Sequence, residues 1–441
     1  MPSPLVSRRH FLSTTAAGLA AAPWVTSGVR AASPNGKLRH ASIGVGGMGA
    51  GDLGSFSGHP MFEVVALCDV DANHLEAARK RFPNATCYKD WRELLEKEGD
   101  RIDSVNVSTP DHLHGSAGLA AMSLGKHLYG QKPLAQNLFE CRQMMMRARE
   151  KKVVTQMGIQ VSAGTNERLA VALIRQGAIG KVKEVHSWSG KTWGDVGPVP
   201  ERKDEVPKDF DWDLWLGPTA ERPFIKGYYH PGEWRRRRDF GTGTLGDMGC
   251  HMFSAWFRAL ELAAPITVCS KGPAPLNATN WSINSLVEYT FKGTAHTAGE
   301  TVKVTWYDGA SKPPAEVVAA AGGRLSMEGS VFLGSDGVML FPHGGTPLLL
   351  PQEKYQDFKM PQVQAVDHYK EFIDCCLKGD GVPGANFDIA GPLTEAVLLG
   401  CLASPFPGEV LHWDAPALKI SNHAAADKLV RRDYRKGWEL G

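Results

Sequence analysis

Between Lys37 and about Gln160 short apolar runs alternate with stretches whose apolar positions recur at helical spacing. The run ending at Gly44, then Phe62–Cys68, Ile102–Val107, Lys126–Gly130 and Val153–Met157, read as strands. Asp71–Phe82, Asp90–Lys97, His112–Leu124 and Asn137–Arg149 read as helices, with Asp71 or Asn73 near the first cap. This alternation implies a parallel sheet with helices on both faces. Such sheets bind ligands at the carboxyl ends of their strands. The loops Gly44–Gly49, Ser108–His114 and Gly130–Pro133 all leave such ends, so they are expected to converge.

From about Thr165 the pattern changes. Asn166–Gln176 reads as one more helix, and then period-two runs dominate: Val182–Lys191, Ile266–Ser270, Ser285–Phe291, Val302–Trp306, Arg324–Glu328, Ser330–Leu333 and Val338–Phe341. With turns such as Ser335-Asp336-Gly337 between them, they predict a large, open, mostly antiparallel sheet. Gly194–Asp247 is a loop-rich insertion. Helices at Gln364–Leu377 and Pro392–Leu402 are expected to return to the first domain, ahead of a polar, basic tail from Asp414. The fold class is α/β. The domains are 1–35, an address segment; 36–162, a doubly wound nucleotide-binding domain; 163–360, a substrate domain holding the insertion 194–247; and 361–441, the C-terminal helices and tail.

A chain of 441 residues is long enough for two cores. A net charge of +2 gives no footprint for nucleic acid. The eight cysteines have no metal-like spacing and read as mostly buried thiols. The first residues change the picture more. Ser7-Arg8-Arg9-His10-Phe11-Leu12 is a twin-arginine pattern, followed by an Ala-rich run to Val25 and a small-residue stretch, Val29-Arg30-Ala31-Ala32. This resembles a bacterial Tat export signal. The run is too short for an ordinary membrane span, so the expectation is export without a stable membrane anchor, to the periplasm or beyond. Tat export passes folded proteins, so a nucleotide could be loaded before transport.

Gly44, Gly46 and Gly49 have G-x-G-x-x-G spacing and enclose Gly47 and Met48. In a dinucleotide site such glycines allow the tight turn, the approach of a pyrophosphate and the close seating of the next helix. The N–H groups of that helix then face the phosphates. Asp69 ends the next strand about 20 residues on, where a carboxylate holds the adenine ribose. No Arg follows it, which favours NAD over NADP.

GVGGMG, ALCDVD, STPDHLHGSAGLAAMSLGKHLYGQKPLAQN, AIGKVKEV and GTGTLGDMGCH together resemble the Gfo/Idh/MocA oxidoreductases, the glucose–fructose oxidoreductase and inositol dehydrogenase family. The resemblance implies an N-terminal Rossmann domain, a C-terminal α/β domain with an open sheet, and a homo-oligomer, dimer or tetramer. It makes Lys132 the catalytic lysine, and Asp247 and His251 the family's D-x-x-x-H pair. It places Ser108, Thr109, Pro110 and His114 in the loop beside the nicotinamide. Gln131 stands where the family has a glutamate that contacts the nicotinamide ribose; a neutral amide can still bond a hydroxyl.

Oxidising a carbinol needs a proton acceptor and alignment of C–H with the nicotinamide. His251 titrates near neutrality and is expected as general base, with Lys132 polarising the same oxygen; the two roles exchange easily. Asp247, four residues earlier, shares a helix face with His251 if this stretch is helical. Trp212, Tyr229, His230, Trp234 and Arg235 in the insertion are candidate sugar contacts, against a satellite aromatic core under a long loop. Asp247, His251 and His230 could hold a metal, but spacing fixes no third ligand and the resemblance implies none. The expected activity is NAD(P)-dependent oxidation of a sugar or glycoside hydroxyl by a tightly bound cofactor. The alternative is a glycosidase that oxidises, eliminates and re-reduces with no net redox change.

Overall fold

β1 (Leu38–Ile43) is the strand on which the N-terminal half is built. It is followed by β2 (Phe62–Cys68), β3 (Thr86–Tyr88), β4 (Ser104–Val107), β5 (His127–Gly130) and β6 (Thr155–Met157). All pair in parallel in the order β3-β2-β1-β4-β5-β6. The strand order reverses beside β1, which opens a crevice at the carboxyl ends of β1 and β4. The computed structural model describes residues 36–379 and 381–440. The twin-arginine segment lies outside the described residues.

Local chemistry fixes the connecting helices. Asp71, Asp90 and Asn137 each accept a main-chain N–H as N-caps of Ala72–Arg81, Trp91–Glu98 and Leu138–Lys151. The helix Gly47–Ser57 differs. Gly46 supplies no side-chain cap and the first turn holds no acid, so its N-terminal N–H groups remain open to an anion.

The second sheet contains β7 (Val182–Ser189), β8 (Thr267–Gly272), β9 (Leu286–Lys292), β10 (Thr301–Asp308), β11 (Glu328–Gly334), β12 (Val338–Pro342), β13 (Leu348–Leu350), β14 (Leu411–Asp414) and β15 (Lys419–Ile420). Its order is β13-β12-β11-β7-β10-β9-β8-β14-β15, and only β7 and β10 run parallel. The expected fold class, a parallel doubly wound sheet plus a mostly antiparallel open sheet, is therefore borne out.

Several elements differ from their sequence reading. Arg324–Met327 is not strand; it follows two left-handed glycines, Gly322 and Gly323, and β11 begins only at Glu328. The late helix starts at Phe387, not at Pro392, because Asn386 caps it by accepting Asp388 N–H. Pro392 then lies inside a helix of which Phe387, Ala390 and Leu393 are buried. Leu411–Asp414 and Lys419–Ile420, around the start of the expected polar tail, extend the second sheet at its edge.

Helix Gly243–Ala259 links the two halves. Nearly all of it is buried, against β7, β10, β11 and helices Thr165–Arg175 and Phe387–Ala403. Gly249 and Gly400 let the two long helices close up: a Cβ at Gly249 would meet Val397 at 3.1 Å, and one at Gly400 would meet Leu245 at 2.5 Å. This packing sets Asp247 at the crevice of the first sheet.

Candidate active site

A cavity of about 310 Å³ lies at the carboxyl ends of β1, β2, β4 and β5. Gly44, Gly46, Gly47 and Met48 line one wall, with Asp69, Ser108, Thr109, Pro110, Gln131 and Lys132 around them. The three loops expected to converge do so. Gly44 has φ +82°, and a Cβ there would sit 2.6 Å from Ser108 O. Gly49 does not line the cavity. Its lack of a side chain serves packing, since a Cβ would lie 2.0 Å from Gly44 O.

The residues fit a dinucleotide. Gly47 has φ +49° and open space where a Cβ would be, directly at the uncapped helix start. Asp69 Oδ2 accepts Val45 N–H at 2.9 Å and Gly46 N–H at 3.2 Å, which pins the glycine loop. Its Oδ1 accepts Asp71 N–H at 2.9 Å. Asp69 still lines the cavity and retains lone pairs for a ribose hydroxyl.

At the other end Lys132 Nζ donates to Asp247 Oδ1 and to Asp247 O, both at 2.7 Å. Arg235 Nε lies 3.3 Å from Oδ1, and Trp193 Nε1 donates to Oδ2 at 2.9 Å. Lys191 Nζ is 3.9 Å from Oδ2. Burial raises the Asp247 carboxyl, but the charges of Lys132 and Arg235 outweigh it and hold it well below the usual carboxylate range. Asp247 is thus an anion clamped among three cations and an indole. Lys191 and Trp193 were not anticipated from the sequence. They follow β7 by a few residues but lie more than fifty residues from Asp247, and no local pattern announces the pairing.

Two expected site residues stand outside the cavity lining, and a third is turned away from its expected role. His251 is on the helix of Asp247, yet it does not line the cavity. Its ring lies 5.5 Å from that of His343, and its Nδ1 has no hydrogen-bond partner among the described residues. Burial, then the charge of Lys132, pushes its pKa well below the ordinary value, so it is neutral at pH 7. His114 is buried behind the loop, with Nδ1 2.7 Å from Pro133 O and Nε2 2.9 Å from Thr109 O. It fastens two cavity loops to each other without facing the cavity. Gln131 does line it, but its Nε2 donates to Asp52 Oδ2 at 2.8 Å and its Oε1 accepts Lys132 N–H at 3.2 Å.

The insertion also divides. Trp212 and Tyr229 belong to a buried aromatic cluster with Trp215, Phe210 and Phe224, Trp212 stacking on Trp215 at 4.9 Å and 15°. Neither lines the cavity, and both pack as satellite core. All three tryptophans of the cluster are buried, and only their placement relative to the cavity, which the sequence does not carry, separates them. Trp215, His230, Trp234 and Arg235 do line the cavity. His230 Nε2, however, is 3.4 Å from Asp71 Oδ2, near His74 and the Asp69 end, away from Asp247. Among the described residues no cluster of three or more His, Cys, Asp or Glu is placed to hold a metal ion.

The insertion and the C-terminal tail cover the Asp69 end. Asp211 N–H donates to Val70 O, and Ala72 N–H to Asp209 O. Trp438 lines the cavity with Trp91 and Trp215. Its tail is tied down where Arg435 N–H donates to Pro218 O and the Arg92 guanidinium stacks 3.9 Å above the Trp438 ring.

Residues 38–159 match the model of the oxidoreductase family with NAD-binding Rossmann fold, and residues 172–275 match that family's C-terminal α/β domain. The chain belongs to the Gfo/Idh/MocA oxidoreductase family. A levoglucosan dehydrogenase of Pseudarthrobacter phenanthrenivorans is 30% identical over 221 residues, 48% of either chain. A glycosyl hydrolase family 109 protein of Shewanella pealeana is 30% identical over 206 residues, 40% of this chain and 44% of that one. The chain thus spans about half the length of the curated relatives it matches. Among solved structures, the WlbA dehydrogenase of Bordetella pertussis, in complex with NADH and UDP-GlcNAcA, superposes with a TM-score of 0.60 at 17% identity, covering 86% of this chain and 99% of that one. Levoglucosan dehydrogenase in complex with NADH and levoglucosan gives 0.57 at 18%, covering 85% and 99%.

Proposed function

We propose that this protein oxidises a hydroxyl of a sugar or glycoside with an NAD held between turnovers. The observation that carries the reading is the Lys132–Asp247 pair, set in the same cavity as the open helix start at Gly47. Bound there, NAD supplies the hydride acceptor. Lys132 is the proton-handling group in this reading, because it borders the cavity while His251 does not. Asp247 orients the ammonium, and Trp193 and Arg235 hold Asp247. His251, neutral and outside the cavity lining, lies on the helix that carries Asp247.

The cover formed by Trp215, His230 and Trp438 supports slow release of the nucleotide. The twin-arginine segment supports loading before Tat export, and the family resemblance supports a homo-oligomer. The resemblance of about half the chain to family 109 glycosyl hydrolases favours a second reading, in which the same hydride returns to the same substrate and the aglycone is lost.

Mass analysis of the purified protein is expected to find NAD. Incubation with aryl glycosides then separates the two readings. Accumulating keto-sugar means net oxidation, and aglycone release without added NAD means hydrolysis. A protein that binds neither NAD+ nor NADH refutes both.

A further inference from the structure

Asp52 lies in the helix Gly47–Ser57 and is completely buried. Its Oδ2 accepts from Ser108 Oγ and Gln131 Nε2, both at 2.8 Å, and its Oδ1 accepts from the Tyr369 hydroxyl at 2.8 Å. The Gln131 amide has only one sensible orientation. Lys132 N–H is a donor, so the atom facing it is Oε1, and Nε2 turns to Asp52. A glutamate at 131 would set carboxylate against carboxylate. The hydroxyls are oriented as well: Asn106 Nδ2 donates to Ser108 Oγ and Gln160 Nε2 to the Tyr369 hydroxyl, leaving both hydroxyl protons for Asp52. Three donors therefore converge on one carboxylate.

All of these partners are neutral. Among the described residues no Lys, Arg or His forms an ion pair with Asp52. Burial raises its carboxyl, and the hydrogen bonds from Gln131, Tyr369 and Ser108 oppose that rise. A buried carboxylate without a counter-cation is costly unless something else supplies the charge. Ser108 and Gln131 both line the cavity, so Asp52 stands one hydrogen bond behind its wall.

We propose that Asp52 is a positioning residue for the redox state of the cofactor: its carboxylate is the counter-charge to the cationic ring of NAD+, relayed by Gln131 and Ser108. The inference rests on the reading that the nicotinamide end of NAD occupies the cavity beside Lys132. Asp52 attracts the ring only in its oxidised form, because the reduced ring is uncharged. It thus biases the bound couple toward NAD+, the form that accepts a hydride. It also accounts for Gln131: the negative charge stands at 52, and residue 131 carries the amide that the carboxylate requires.

The test is equilibrium binding of NAD+ and of NADH to the full-length protein and its variants, with melting temperature as the check of folding. Asp52→Asn is expected to raise the ratio of the NAD+ to the NADH dissociation constant about tenfold, equivalent to a rise of about 30 mV in the potential of the bound couple. Asp52→Asn combined with Gln131→Glu restores one carboxylate and is expected to return the ratio to within about threefold of the parent. If Asp52→Asn does not fold, Asp52→Thr, also uncharged, is read the same way. A folded, uncharged variant with an unchanged ratio overturns the proposal while leaving the oxidoreductase reading intact. Failure of the parent to bind either form overturns that reading, and this one with it.

Discussion

Lys132 Nζ holds Asp247 twice, at Oδ1 and at the main-chain oxygen, each at 2.7 Å. The bond to the main chain ties the lysine to the fold of the helix Gly243–Ala259, and the bond to the carboxylate fixes where its Nζ points. Lys132→Met removes both. We expect kcat to fall by about a thousandfold, within the range for a lost acid–base group, with NAD still bound. Asp247→Asn keeps the main-chain bond and is expected to cost about tenfold to a hundredfold in kcat. Steady-state kinetics beside a nucleotide-binding assay checks both, and a Lys132→Met protein with near-parental kcat refutes the role.

Gly49→Ala probes the glycine loop without touching a ligand contact. The new Cβ would lie 2.0 Å from Gly44 O, a main-chain atom that cannot move alone. The loop must shift, so stability is expected to fall by about 2 kcal/mol, with NAD affinity reduced in step. Urea unfolding with and without NAD measures both. An alanine tolerated at parental stability contradicts the packing described.

The helix–strand alternation from Lys37 to Gln160 carried most of the first sheet, because parallel strands buried on both faces are near-continuous apolar runs. The glycine spacing and Asp69 were legible because each is local to a strand end, and Lys132 was legible through the family resemblance of the stretch around it. What the sequence hid is relational. Trp193 meets Asp247 only because β7 and the helix Gly243–Ala259 are brought side by side. Asp52 reads as one polar residue in a small-residue helix until Ser108, Gln131 and Tyr369 surround it. Trp212 and Trp215 look alike in the chain, yet only Trp215 reaches the cavity.

That last contrast is testable. Trp212→Phe should lower stability by about 1–3 kcal/mol, since it trims a buried, stacked side chain. It should leave KM for any sugar unchanged. Arg235→Ala, at the cavity wall and against Asp247, should change KM and kcat with a smaller loss of stability. Chemical unfolding and kinetics on the two variants separate the roles. A KM effect at Trp212 equal to that at Arg235 would place the aromatic cluster in the substrate site after all.

Trp438 is held by the Arg92 guanidinium 3.9 Å above its ring and covers the nucleotide crevice from the C-terminal tail. Trp438→Ala should therefore speed release of NAD about tenfold while leaving the chemical step intact, because it removes cover and not chemistry. Stopped-flow displacement of the nucleotide gives the rate. An unchanged off-rate would mean that the tail does not retain the cofactor.

Acid stability follows from histidines buried in neutral form. Burial lowers His112 to about 3, and lowers His40 and His368 to about 4. The unfolded chain takes up these protons as pH falls below about 6.5, and the folded chain does not. Their contribution is complete above that pH and is lost as pH falls toward 4 and 3. Glu167, raised by burial to about 7, and Asp308, raised to about 6, act in the opposite sense, losing stability as pH rises through about 4 to 7. His112→Gln keeps a donor for Trp215 O, which His112 Nε2 approaches to 2.8 Å, and removes the titrating ring. Between pH 6 and 4 the slope of unfolding free energy with pH should become shallower by about 1.4 kcal/mol per unit, read from urea midpoints at each pH. A variant whose slope matches the parent would show that His112 takes its proton without unfolding.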